Sequence, residues 1–270
     1  MSGRWPDREV RHPVTLQRWE DLTFLHWSLP AATIQECLPP GLAVDTFDGR
    51  AWLGVTPFRM HARPAFGPAV PHLSTFTEIN VRTYVRGPDG GDGLWFFSLE
   101  CPRLPVVLAL RAVGVPYVWA DAAMRADPGH VHYRSRRRSG PAGVGRGAGP
   151  ASAGRDAGPA SAGRDAGPVG GAGSSGPAGM RASVEVGEPL EPDALTDFLT
   201  GRWSAYVRRL GRLWRIDVEH EPWPLRAARA RTAVNDLVRA AGLPAVAGDP
   251  LVHFSPGVRT RLGAPVPVGD

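Results

Sequence analysis

TFTEINVRTYV, Thr75 to Val85, is the stretch on which the reading of this chain turns. Successive side chains of a strand point to opposite faces. Thr77, Ile79, Val81, Thr83 and Val85 therefore share one face, which is β-branched throughout and reads as packed core. Phe76, Glu78, Asn80, Arg82 and Tyr84 share the other, which sets an acid, an amide, a guanidinium and a phenol in a row. Such a row is either a solvated outer face or the lining of a polar cavity. Aromatic residues flanking it favour the cavity.

Strand signals surround this stretch. Val14 to Trp19 and Leu22 to Leu29 read as strands about a Glu20-Asp21 turn, and Asp48-Gly49 between Leu42–Phe47 and Arg50–Met60 is a hairpin signal. LWFFSLE, Leu94 to Glu100, is a β-prone return strand, with weaker strands at Tyr117–Met124 and Val131–Arg137. Further strands are expected at Arg181–Val186, Arg202–Leu210, Arg212–Glu219, Leu251–Phe254 and Gly257–Leu262. Helical spacing marks Ala31–Leu38, Pro105–Val113, Asp193–Leu199 and Thr232–Ala241. Many strands and few short helices predict an all-β barrel or a β-rich α+β fold.

The segment Ser139–Gly179 has a different character. AGPASAGRD occurs at Ala148–Asp156 and again at Ala157–Asp165, and large apolar side chains are almost absent. It cannot bury enough apolar surface to offset the entropy of ordering, so a flexible insertion is expected within one domain made of residues 1–138 and 180–270. Its Gly171-Ala172-Gly173-Ser174-Ser175-Gly176 match to a dinucleotide pattern lacks the flanking strand and helix that would give it meaning.

The 270 residues carry 43% hydrophobic side chains and a formal charge of +5. All 31 basic residues are Arg and none is Lys, a bias shared with the abundance of Ala, Gly and Pro. The Arg residues are scattered along the chain. The dense run Arg134–Arg138 reads as a solvated strand end, so nucleic acid is not expected as a partner. No apolar run reaches the roughly 18 residues of a membrane span. The start, MSGRWPDREVRHP, lacks the apolar core of a secretory signal, so no membrane association and a cytoplasmic location are expected. Cys37 and Cys101 read as reduced thiols. His130 and His132 share a strand face without an acidic or Cys partner, so no metal and no cofactor are expected.

Several separated stretches resemble one family. LTFLHW (Leu22–Trp27), DGRAWLGVTPF (Asp48–Phe58), FTEINVRTYV (Phe76–Val85), LWFFSLE, VPYVWADAAM (Val115–Met124), HEPWPL (His220–Leu225) and LVHFSPGV (Leu251–Val258) look like the YqjF-like family, DUF2071. That family is in turn similar to the acetoacetate decarboxylase-like superfamily. The resemblance implies an antiparallel β-barrel with a ligand cavity. Those decarboxylases use a Lys as Schiff-base nucleophile. A chain without Lys cannot follow that route.

The expected function is binding of a small anionic or carbonyl-bearing organic molecule, with lyase or hydrolase turnover left open. A non-catalytic sensor or carrier, or an interaction module with an Arg-rich surface, is the alternative. Glu78 as base, Arg82 as anion anchor and His26 as proton-transfer group are the candidate catalytic residues. Asn80, Tyr84, Tyr117, Trp27, His220 and Trp223 are the candidate ligand-binding residues. A structural Glu78–Arg82 ion pair is the competing reading, although their Cα atoms lie about 13 Å apart on a strand. A homo-oligomer is compatible with the sequence.

Overall fold

A computed structural model describes residues 3–6, 8–138 and 177–269. Its strands are β1 (Thr15–Pro30), β2 (Ala43–Val44), β3 (Arg50–Pro64), β4 (Thr75–Arg86), β5 (Asp92–Cys101), β6 (Tyr117–Asp127), β7 (His130–Arg137), β8 (Gly179–Pro189), β9 (Ser204–Arg209), β10 (Arg212–His220), β11 (Arg226–Ala233), β12 (Leu251–Leu262) and β13 (Val266–Pro267). Four short helices intervene: α1 (Ala31–Gln35), α2 (Leu104–Ala112), α3 (Ala194–Thr200) and α4 (Asn235–Ala240). None of the described helices is long and apolar enough to cross a membrane.

The sheet closes on itself. The pairing β5–β6–β7–β8–β11–β12–β1–β3–β4 returns to β5, a closed nine-stranded barrel. A second circuit branches from the same wall. It runs from β5 through β9 and β10 to β12, and back along β1, β3 and β4. The barrel is mixed rather than antiparallel as expected, because β5 pairs in parallel with both β6 and β9. The β5–β6 connection passes through α2, as a parallel crossover requires more chain than a hairpin.

This branching gives the wall two interiors. One face carries Leu25, Leu53, Val55, Ile79 and Val81, which pack with Val131, Tyr133, Val184 and Phe254 inside the nine-stranded barrel. The other face carries Leu22, Phe24, Phe58, Met60 and Phe76, which pack with Leu99, Cys101 and Tyr117. Every residue of β4 from Phe76 to Val85 is buried. The choice between a solvated face and a core face therefore does not arise for β4.

Several local expectations change. Glu20-Asp21 is not a turn: β1 runs through it as one strand, with Asp21 at φ 49° and a register shift against β3 between Glu20 and Leu25. This is a β-bulge, in which one residue takes a turn-like conformation while pairing continues on both sides. Asp48-Gly49 does form a tight turn with both φ positive, yet only the Phe47–Arg50 bridge closes it, and β2 pairs with β4 instead. The helix expected over Thr232–Ala241 begins only at Asn235, because Thr232 and Ala233 pair with Ala182 and Arg181 of β8. The insertion falls almost wholly outside the described residues. Its far boundary is corrected, since Gly179 pairs with Arg136 and the Ala178 carbonyl accepts from the Arg137 amide. The Arg134–Arg138 run is not solvated throughout: Arg137 turns inward to Glu100, whose Oε1 it meets at 2.8 Å.

Candidate functional site

The site grows from one ladder. His26 of β1, Gly54 of β3 and Arg82 of β4 are register neighbours, and so are Thr56 and Asn80 one step along the same face. Directly opposed residues share a face, so His26, Thr56, Asn80 and Arg82 project together, with Glu78 and Tyr84 beside them on β4. Gly54 makes the close approach workable. A Cβ there would sit 3.3 Å from Arg82 Cγ and 3.3 Å from His26 Cδ2, so any side chain would press on both. All six polar side chains are buried.

Glu78 is 2% exposed and accepts from the Tyr117 hydroxyl through Oε2 at 2.6 Å. Burial pushes its carboxyl up from the ordinary 4.5 to about 7, against the opposing hydrogen bonds from Tyr117 and Asn80. Among the described residues Arg82 has no carboxylate partner, and the Glu78–Arg82 ion pair does not form. Its guanidinium lies 5.4 Å from the Phe24 ring centroid, bonds the Tyr84 hydroxyl, and leaves Nε buried with no partner.

Tyr84 fixes the state of His26. Its single O–H donates to the Leu199 carbonyl at 2.7 Å, so it must accept at His26 Nε2, 2.7 Å away. His26 therefore carries its proton on Nε2, and Nδ1 is a bare acceptor, buried and unpaired. Burial, followed by the nearby Arg82 charge, holds the imidazole well below its ordinary value and therefore neutral. Leu199 is near the end of α3, where helix carbonyls lack intrahelical partners. Thr200, the last residue of α3, accepts from Trp223 Nε1 at 3.0 Å in the same way.

His220 and Trp223 close the solvent side. The His220 ring sits 4.4 Å from Trp203 and 4.6 Å from Trp223, and Trp19 stacks on Trp223 at 6.0 Å. His220 Nδ1 donates to the Glu221 carbonyl at 2.6 Å, and burial lowers its value to about 4. A groove of about 750 Å³ opens outside this box, lined by Trp5, Gln17, Ala62, His220 and Thr260. A smaller pocket of about 360 Å³ is lined by Trp203, Trp223 and the Pro222–Leu225 segment. Neither is lined by Glu78, Asn80 or Arg82. The aromatic box separates the polar cluster from solvent.

Of the residues singled out from sequence, the structure brings together Glu78, Asn80, Arg82, Tyr84, Tyr117 and His26, with His220 and Trp223 as the outer wall. Trp27 does not join them. It points into the nine-stranded barrel, where its Nε1 donates to the Gly248 carbonyl at 3.1 Å. Gly54, Thr56 and His253 were missed. His253 is the register partner of Phe24 and projects on the same face, with Nδ1 buried and unpaired. Cys37 and Cys101 are free thiols, and among the described residues no cluster of His, Cys, Asp and Glu could hold a metal.

The closed mixed barrel is similar in fold to acetoacetate decarboxylase-like structures. The fold is similar to an acetoacetate decarboxylase-like enzyme from Sphingomonas wittichii, at 12% identity, with 97% of this chain and 96% of that one covered and a TM-score of 0.61. It is also similar to the acetoacetate decarboxylase of Legionella pneumophila, at 12% identity, 96% and 88% coverage and a TM-score of 0.59. The enduracididine biosynthesis enzyme MppR, described in complex with pyruvate, matches at 9% identity, 98% and 94% coverage and a TM-score of 0.57. By sequence the chain belongs to the family of uncharacterized conserved proteins DUF2071, which it matches over residues 16–259. It is 28% identical to the uncharacterized protein YqjF of Bacillus subtilis over 261 residues, 94% of each chain.

Proposed function

We propose that this protein binds a small organic monoanion, a carboxylate, against Arg82 on the inner face of the shared wall. One observation carries the reading: a guanidinium that is 7% exposed has no carboxylate partner among the described residues. A buried unpaired charge costs several kcal/mol. Arg202, the neighbouring buried cation, shows the contrasting arrangement, with Asp45 at 3.1 Å and Asp92 at 2.6 Å. Arg82 is thus the cation left for a ligand, and its planar fork suits a carboxylate. The description of MppR with pyruvate accords with a small carboxylate in this fold.

Turnover, where it occurs, runs without a Schiff base, since the chain has no Lys. Glu78, with its value near 7, can hold or release a proton at neutral pH, and Tyr117 is placed to share it. Arg82 then stabilises negative charge developing on the ligand. The test is calorimetric titration of small monocarboxylates into the wild type and Arg82→Met. Binding that disappears in the variant supports the reading. Equal affinity in both removes it.

A further inference from the structure

The outer face of β6, β7, β8 and β11 carries an unbalanced charge. Val131, Tyr133, Ala182 and Val184 point into the nine-stranded barrel, so His132, Arg134, Arg181 and Ser183 point out. Arg231 stands outside with them, as the register partner of Ser183. Arg134, Arg181 and Arg231 are exposed, and among the described residues none of the three has a carboxylate partner. Arg134 and Arg181 are direct cross-strand partners, an arrangement that destabilises a sheet when both charges are alike. Arg231 is diagonal to Arg181, with Cα atoms about 7–8 Å apart. The three side chains surround a shallow groove of about 440 Å³, also lined by His132, Ser183 and Thr232.

Acidic residues bound this groove on two sides. On one side the row Asp127–His130–Glu185–Arg229 holds two carboxylates, and Asp127 takes Arg125 at 2.7 Å. On the other, in the row Asp121–Arg136–Gly179, Asp121 takes Arg138, whose guanidinium also covers the Trp119 ring at 4.8 Å. Between them lie only Arg125–His132–Ser183–Arg231 and Ala123–Arg134–Arg181–Ala233. The unpaired cations of the groove thus form an island two rows deep. Neither row offers a Phe, Tyr or Trp on which bases could stack. A compact anion fits this layout better than a nucleic acid strand. Three guanidiniums about one point call for more than one negative charge, and a phosphate group supplies about −1.5 to −2 with three acceptor oxygens for their forked donors. The groove is large for a bare phosphate and comparable to small-molecule pockets of about 300–1,000 Å³.

We infer that this groove is a second binding site, for the phosphate group of a small organic phosphate monoester. The dianion sits between Arg134 and Arg181 with Arg231 across from it. Ser183 and His132 donate to its remaining oxygens, and the organic body lies over Thr232 and Ala233. β7, β8 and β11 contribute nothing to the Arg82 cluster, so this site stands independently of the carboxylate reading.

The test is calorimetric titration of glycerol 3-phosphate, inorganic phosphate and a short single-stranded oligonucleotide into the full chain at matched ionic strength. Glycerol 3-phosphate should bind several-fold more tightly than inorganic phosphate. The double variant Arg134→Gln/Arg181→Gln should weaken its binding about tenfold or more, and Arg231→Gln alone several-fold, while Arg82→Met leaves it unchanged. Without ligand the double variant should melt no lower than the wild type, because it removes a like-charged pair; should it fail to fold, Arg231→Gln still reads the site. Inorganic phosphate binding as tightly as the ester would overturn the monoester assignment. Tighter binding of the oligonucleotide, falling steeply with salt, would make the face a nucleic acid surface instead. Ester binding that survives the arginine variants, that is lost in Arg82→Met, or that is absent from the wild type would overturn the site itself.

Discussion

Replacing Arg82 by Met separates a ligand anchor from a structural ion pair. The substitution keeps the length of the stem and removes the charge. What is lost in the free protein is small: the contact with the Phe24 ring, about 0.5–1 kcal/mol, and one hydrogen bond to Tyr84, about 1 kcal/mol. What is relieved is a buried cation with no carboxylate partner among the described residues, 5.4 Å from the Phe24 ring. Packed apolar replacements of buried charges are often neutral or stabilising by about 1–4 kcal/mol. The expected net change is therefore near zero or a modest gain. At about 2–4 °C per kcal/mol for a chain of this size, Tm should move by only a few degrees. Carboxylate affinity should fall by the value of a charge-assisted contact, about 1.5–3 kcal/mol, or about tenfold to 150-fold. The assay is differential scanning calorimetry beside titration calorimetry on the same preparation. A structural pair predicts the reverse, a loss of about 3–5 kcal/mol when one partner is removed. A fall in Tm of more than about 6 °C would refute the reasoning.

Four further outcomes follow. Arg202→Met should destabilise by about 3–5 kcal/mol, since it strips Asp45 and Asp92 of the buried cation that ion-pairs with both, and urea unfolding reads this directly. Glu78 has a folded-state value of about 7 against an ordinary 4.5, so the folded state holds the extra proton between these values and stability falls as pH rises through that window. The difference corresponds to about 3 kcal/mol, and Glu78→Gln should abolish it, becoming more stable than the wild type at pH 8 relative to pH 5. Trp223→Ala should speed ligand association measured by stopped flow, because His220, which lines the outer groove, and Trp223, which lines the smaller pocket, pack ring on ring between the cluster and solvent; an unchanged rate would place the entrance elsewhere. Linking Arg138 directly to Pro177 by a short Gly-Ser turn should preserve cooperative melting, because Arg136 and Gly179 are already register partners and shortening the loop changes closure entropy by only about 2 kcal/mol.

Much of this was legible in the amino-acid sequence where the period of two was strong. β4 alternates β-branched and polar residues from Thr77 to Val85, and that alternation placed Glu78, Asn80, Arg82 and Tyr84 on one face. What it could not say is that a branched sheet buries both faces. β11 was not legible at all. RAARARTA is made of good helix formers, and only pairing with β8 on one side and β12 on the other holds it extended. Trp27 follows His26 directly in β1, and alternation alone sends adjacent strand residues to opposite faces, so the two cannot line one site. Gly54 and Thr56 carried a weak signal, a glycine inside a strand pattern. Their place beside Arg82 depends on the β3–β4 register, which local sequence does not encode. The Lys-free composition was the most informative negative feature, since it removed Schiff-base chemistry before any geometry was known.

The claim that an anion belongs on Arg82 can be read at the atom concerned. The Nε–H of Arg82 is buried and unpaired, so its ¹⁵N-correlated NMR signal, assigned by its loss in Arg82→Met, should be distinct from those of the exposed arginines. Addition of small monocarboxylates, hydroxylated and plain, should move that signal downfield as a charge-assisted hydrogen bond forms, with the same midpoint as the calorimetric titration. A signal that stays in place across the whole panel while the acids bind, or while none does, would contradict the account.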